Sequence, residues 1–243
     1  MARKTYENPL LSHNRLREIY AALIDARARK PRAGRTDDAA IISAAIGLRD
    51  SPDVGDVVSA GAHGDVVELA LGLLPRAIER GKRSPQRIDS AASGPSLSTT
   101  ERAFFTLGVA ARLPKGAIAM LFLSAGDLPS AGHKRFLAEV ACIKPPLIIL
   151  ALAGRGAEPG IAEIATKHQV PGIPVAADDP VALYRAAQEC LGRARAGGGA
   201  ALIEAVRFTG SPDPRALLRR QIVARGAATE RWCAERESRA AKA

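Results

Sequence analysis

Aromatic side chains are scarce in this chain, at 4% of residues, although hydrophobic residues as a whole reach 47%. A core with so few large flat rings must be filled by aliphatic and small side chains. With Ala, Gly and Leu abundant, that composition disfavours an all-β sandwich and favours closely packed helices, alone or around a sheet. Cysteine is also sparse: Cys142, Cys190 and Cys233 are widely spaced and odd in number, which excludes both a disulfide framework and a zinc pattern and leaves three free thiols expected. Long apolar runs are missing. The longest, Pro145 to Ala153, is too short to cross a bilayer, and the first residues carry no apolar segment of signal-peptide type, so no membrane association and a reducing cytoplasm are expected.

Acidic residues are in deficit, 25 Asp and Glu against 35 Lys and Arg, which gives a formal net charge of +10. Such an excess biases a protein towards polyanions or an acidic partner. The basic residues cluster around 27–35, 76–87 and 215–225. Because no aromatic residues alternate with them, the stacking platform of a single-strand binder is lacking. A solvated surface accounts for the clusters, and nucleic acid is not the expected partner.

The apolar pattern divides the chain. Leu10, Leu11, Leu16, Ile19, Tyr20, Leu23 and Ile24 recur at helical spacing up to the break at Lys30-Pro31, predicting an N-terminal helix. Asp37 and Asp38 are suited to cap a second helix running through Leu48, and a third is expected from Asp65 to Gly81. The stretch 82–97, with Pro85, Gly94 and Pro95, reads as a long loop. Ser98 followed by Glu101 has the spacing of a capping box, in which a hydroxyl and a carboxylate reciprocally bond the first free N–H groups of a helix.

Beyond residue 110 the pattern changes to short apolar runs, Ala117–Leu123, Leu147–Leu152, Val170–Val175 and Ala200–Val206, alternating with helical stretches at about 133–144, 160–168 and 180–195. The first two runs and the last read as buried on both faces. This alternation predicts a doubly wound parallel α/β sheet flanked by N-terminal and C-terminal helices. One domain is expected over 1–243: a helical part and loop to residue 100, an α/β core over 101–208, and a helical tail over 209–243. Ligands of such sheets bind beyond the carboxyl ends of the strands, which directs attention to the loop Ser124 to Gly132.

Several segments resemble one family. His168-Gln169-Val170-Pro171-Gly172-Ile173-Pro174-Val175, then Asp179 and Ala182 to Ala187, and then Ala194-Arg195-Ala196-Gly197-Gly198-Gly199 leading into Leu202-Ile203-Glu204-Ala205 look like the alpha subunit of thiamine-diphosphate-dependent 2-oxo acid dehydrogenases. The helix at 38–48, the stretch 57–72 and Lys144-Pro145-Pro146 resemble further parts of it. Such a resemblance implies the thiamine-diphosphate-binding type of sheet and pairing with a beta subunit. It also implies that the alpha side holds the diphosphate and its Mg²⁺. The cofactor's ylid attacks a 2-oxo acid, carbon dioxide leaves, and the acyl fragment passes to a lipoyl group.

The departures from the family pattern concentrate on that cofactor. Mg²⁺ takes hard oxygen ligands in a near-octahedral shell, which the family draws from a G-D-G turn and a later Asn. Read without gaps, the turn falls on Ser124-Ala125-Gly126; a slip of two residues brings Gly126-Asp127 there instead. Asp127 is then the surviving metal-ligand candidate, or else a helix cap. No Asn is available, since Asn8 and Asn14 are the only two in the chain. The family's Tyr and Arg facing the diphosphate correspond to Ala60 and Gly61, leaving His63 as either a cofactor contact or a structural residue. Gly94-Pro95-Ser96-Leu97 replaces the family's G-S-M-H, and Thr209 to Pro214 lacks the expected Arg and His. His133 begins a basic helical turn and reads as surface, whereas Glu204 and Asp179 match positions of structural character.

The expectation is therefore an alpha-subunit-like chain without its cofactor, assembled as a homodimer or with a beta-type subunit. Thiamine diphosphate and Mg²⁺ enter only under the alternative, an active dehydrogenase subunit in which Asp127 and His63 or a partner supply what is missing. A basic polyanion-binding protein is the third reading.

Overall fold

The computed structural model describes residues 11–29, 35–50, 55–71, 85–89, 97–124, 130–152, 160–208, 210 and 212–242. Its centre is a six-stranded, wholly parallel sheet in the order β2-β1-β3-β4-β6-β5. The strands are β1 (Val57–Ser59), β2 (Gln86–Arg87), β3 (Ala119–Ser124), β4 (Leu147–Leu152), β5 (Gly172–Ala176) and β6 (Ala201–Val206). Around them lie α1 (His13–Arg29), α2 (Arg35–Asp50), α3 (Gly64–Leu71), α4 (Thr99–Ala110), α5 (Ser130–Ile143), α6 (Ile161–Lys167), α7 (Pro180–Arg195), α8 (Pro214–Ala224) and α9 (Glu230–Ala241). The chain is thus the doubly wound α/β protein that its alternating pattern predicts.

Apolar continuity sets the middle of the sheet. β4, Leu-Ile-Ile-Leu-Ala-Leu, is buried at every position and pairs on both edges. Successive side chains of a strand point to opposite faces, so Met120 and Phe122 of β3 join Ile148 and Leu150 of β4 against α1, α2, α3, α7, α8 and α9. Leu121, Leu123, Leu147 and Ile149 face the other way, onto α4, α5 and α6. Steps towards β2 and steps towards the β5 edge carry their helices on opposite faces, as right-handed crossovers require. β5 is an edge strand of half-exposed residues. Pro174 suits that place, because an edge strand tolerates the lost N–H donor.

Several sequence expectations hold closely. Ser98 accepts the Glu101 N–H while Glu101 bonds the Ser98 N–H at 2.8 Å, and α4 starts there. Asp179 accepts the N–H groups of Val181 and Ala182, both at 3.0 Å, at the start of α7. Other expectations are corrected. α2 begins at Arg35, so Asp37 and Asp38 lie within its first turns and not at the residue before it. The sheet reaches further towards the N-terminus than the apolar runs indicate. β1 adds a strand at 57–59, and the expected loop 82–97 contains β2, two polar residues paired with Val57 and Val58. Of the helix expected from Asp65 to Gly81, Gly64–Leu71 is described and the remainder lies outside the described residues.

Two clamps hold the layers in place. At the amino ends of the strands, the enclosed Asp56 carboxylate accepts the Ile118 N–H at 2.9 Å and the Arg195 guanidinium at 2.7 and 3.1 Å. This ties the end of α7 to the segments entering β1 and β3. The last helix is fastened to α1 by Tyr20, whose hydroxyl donates to Glu237 at 2.5 Å, and by the Arg236–Asp25 ion pair, while Arg219 of α8 reaches both Glu230 and Glu237 and joins the two C-terminal helices to each other. Burial and the adjacent Glu237 carboxylate push the Tyr20 phenol well above its ordinary range. Trp232 packs on the Tyr20 ring at 6.0 Å between centroids.

Candidate functional site at the carboxyl ends of the strands

From β1 the chain steps outward to β2 and then returns to β3 on the other side of β1. That reversal is a topological switch point, the place in an open parallel sheet where a crevice opens beyond the carboxyl ends. β1 ends in Ser59, and the chain turns at once through buried Ala60 into a single 3₁₀ turn, Gly61–His63, that leads into α3. Gly61 has φ +55°, and a Cβ there would lie 2.6 Å from the Arg102 guanidinium. Only glycine satisfies both the backbone and the space. The turn aims His63 across the crevice, where its Nε2 lies 3.2 Å from Ser124 Oγ at the end of β3.

Beside this pair is a denser cluster. The Asp89 carboxylate, 4% exposed, accepts the Gly61 N–H at 2.6 Å and the Ser59 hydroxyl at 3.0 Å on one oxygen. Its other oxygen accepts Arg87 Nε at 3.0 Å. Arg102, buried on the first turn of α4, places Nη1 3.7 Å from the same carboxylate and donates to Ser59 Oγ at 3.2 Å. Arg87 also holds Glu68 of α3 at 2.5 Å. Burial alone would raise the Asp89 pKa, but the bonds from Gly61, Ala60, Arg87 and Ser59 outweigh it and hold the carboxyl below the usual aspartate range.

Of the residues singled out from sequence, His63 does stand at the carboxyl end of the sheet. Gly126 and Asp127 lie outside the described residues. His133 lines a small apolar pocket under α5 with Ser124, Phe136 and Ile149. That pocket has room for about one water molecule, far less than a cofactor needs. Glu204 is structural, as its position suggested: it is buried on β6 and accepts the Ala162 N–H at 2.9 Å, bonding the first turn of α6. Sequence reasoning missed Asp89, Arg102 and Arg87 as site residues, whereas Ser124 begins the loop to which the strand ends directed attention. The capping box bears on Arg102 alone, fixing it one residue after Glu101 on a buried helix face.

The resemblance would bring a diphosphate against the turn at Ala60 and Gly61, and the described residues do not fit one. The Gly61 N–H is already committed to the Asp89 carboxylate, which occupies the point that a phosphate oxygen would need. Among the described residues, no group of three or more His, Cys, Asp or Glu is placed to hold a metal ion. No asparagine stands downstream of Asn14 to serve as an oxygen ligand.

Comparison with known families agrees with part of the resemblance. The family model described as dehydrogenase E1 component matches residues 155–212. Over that stretch, about a quarter of the chain, the protein is similar to dehydrogenase E1 components. The match takes in α6, β5, α7 and β6 but not the switch-point turn at His63 or the loop after β3. No curated protein matches the chain.

Proposed function

We propose that this chain, similar over residues 155–212 to dehydrogenase E1 components, is an alpha-subunit-like protein that works as a structural or regulatory subunit without thiamine diphosphate. One observation carries the reading: at the sheet's switch point the Gly61 N–H, the Ser59 hydroxyl and the Arg87 guanidinium bond Asp89, where an external diphosphate would need them unengaged. The apolar scaffold does not depend on that chemistry. Both core layers close around the sheet through apolar side chains that take no part in these hydrogen bonds. Retaining a fold while losing a site is physically straightforward, since function resides in a few side chains grafted on the fold.

Assembly is the positive side of the proposal: the chain forms a homodimer or pairs with a beta-type E1 subunit. Co-purification and light scattering at several concentrations test this, and a strictly monomeric chain that ignores such a subunit would contradict it. A catalytic subunit completed by its partner is the second reading, favoured by the His63–Ser124 contact at the carboxyl ends of β1 and β3. Its test is 2-oxo-acid-dependent reduction of an artificial electron acceptor by the reconstituted pair. Turnover would establish it in place of the first.

A further inference from the structure

The donors around Asp89 come from separate elements, and each has an anchor of its own. Ser59 is fixed by the β1–β3 ladder. Gly61 is fixed by its turn, with φ +55°. Arg102 is held by the Ser59 carbonyl at 3.4 Å as well as its hydroxyl at 3.2 Å, and Arg87 by Glu68 at 2.5 Å and the Gly61 carbonyl at 3.5 Å. Donors anchored in this way remain aimed at the same point when the acceptor is removed. An array of backbone N–H, hydroxyl and guanidinium groups converging on one buried point is the construction of an oxyanion site.

We infer that the switch point holds a built oxyanion cradle whose resident ligand is the chain's own Asp89, and that a small external carboxylate takes its place once that side chain is removed. The charges support this. Asp89 and Glu68 balance Arg87 and Arg102, so deleting Asp89 leaves one positive charge in excess, with Arg102 only 6% exposed. A monoanion restores neutrality, whereas a phosphate dianion overshoots it. Truncation to alanine removes one carboxylate group and opens a space of that shape, so formate is the matching probe. While Asp89 is in place, the cradle is closed to external anions at the end of the sheet where the fold otherwise presents ligands. The inference stands on the geometry of the cradle, whatever the chain assembles with.

The test is thermal unfolding of Asp89→Ala, Asp89→Asn and the unaltered protein in sodium formate and in sodium chloride of equal ionic strength. The cradle predicts a saturable rise in Tm with formate for Asp89→Ala alone, because the asparagine amide and the native carboxylate both fill the space. A folded Asp89→Ala that responds equally to formate and chloride overturns the inference, as does an equal formate response in all three proteins. Should Asp89→Ala fail to fold in chloride, its refolding yield becomes the readout: recovery in formate supports the cradle and no recovery overturns it. Titration of the unaltered protein with thiamine diphosphate reads the proposed function separately.

Discussion

Replacing Asp56 by alanine should destabilise the protein severely, and the structure indicates by how much. Its side chain is fully enclosed, accepts the Ile118 N–H and faces two nitrogens of Arg195, whose own side chain is 18% exposed. Breaking a buried ion pair by removing one partner costs about 3–5 kcal/mol, because the other charge is left uncompensated. An orphaned backbone N–H adds about 1–3 kcal/mol. Two features reduce the sum: Arg195 reaches some solvent and keeps its bond to the Gly116 carbonyl at 2.6 Å. A net loss of about 3 kcal/mol follows, which moves a urea midpoint by about 1 M at a slope of about 3 kcal/mol/M. Asp56→Asn, which keeps an acceptor for Ile118, should lose about half as much. The decisive assay is a double-mutant cycle with Arg195→Met followed by far-UV circular dichroism. If the clamp acts as a unit, the double variant falls short of the sum by about 2 kcal/mol. Additivity within about 0.5 kcal/mol, or a loss under about 1 kcal/mol for Asp56→Ala, would refute the reasoning.

Other expectations concern single side chains. The Asp89 carboxyl titrates below its unfolded value, so its contribution to stability is complete above the ordinary aspartate pKa and is lost as pH falls through the folded one. The stability gap between the unaltered protein and Asp89→Asn should therefore narrow on acidification; a gap that stays constant from neutral pH into the acid range would exclude this. Tyr20→Phe removes the donor to Glu237 and should cost about 1–2 kcal/mol, since Arg219 still serves that carboxylate. Urea unfolding unchanged by this substitution would show that the C-terminal helices do not depend on the bond. Gly172→Ala would place a Cβ 2.0 Å from the Ala162 carbonyl oxygen, forcing β5 away from α6. A loss of about 3 kcal/mol is expected, at the upper end of overpacking effects, and a neutral outcome would mean that the edge strand shifts freely.

How much of this was legible in the sequence depended on the range of the interaction. β4 and β6 could be read because an apolar run buried on both faces has no polar period to confuse it, and α4 and α7 because Ser98 and Asp179 bond N–H groups within three residues. β1 has three residues, and β2 is Gln86–Arg87. Elements that short carry no periodicity and are strands only because β3 offers an edge for β1 to pair with. The cradle was illegible for a related reason. Gly61 and Ser59 lie 28 and 30 residues from Asp89, and Arg102 lies 43 from Ser59, so the cluster exists only after the crossovers have closed. What sequence could offer was the expectation, from the resemblance alone, that Ala60 and Gly61 stand where the family pattern carries Tyr and Arg. The structure adds that the Gly61 N–H at this turn bonds a carboxylate from its own chain.

The most direct test of the central claim is calorimetric titration of thiamine diphosphate with Mg²⁺ into the purified chain, alone and with a beta-type E1 subunit. The account predicts no saturable binding attributable to this chain in either case, with Asp89 retaining its donors. Micromolar binding that is lost when His63 or Asp127 is replaced would contradict it and return the chain to catalysis.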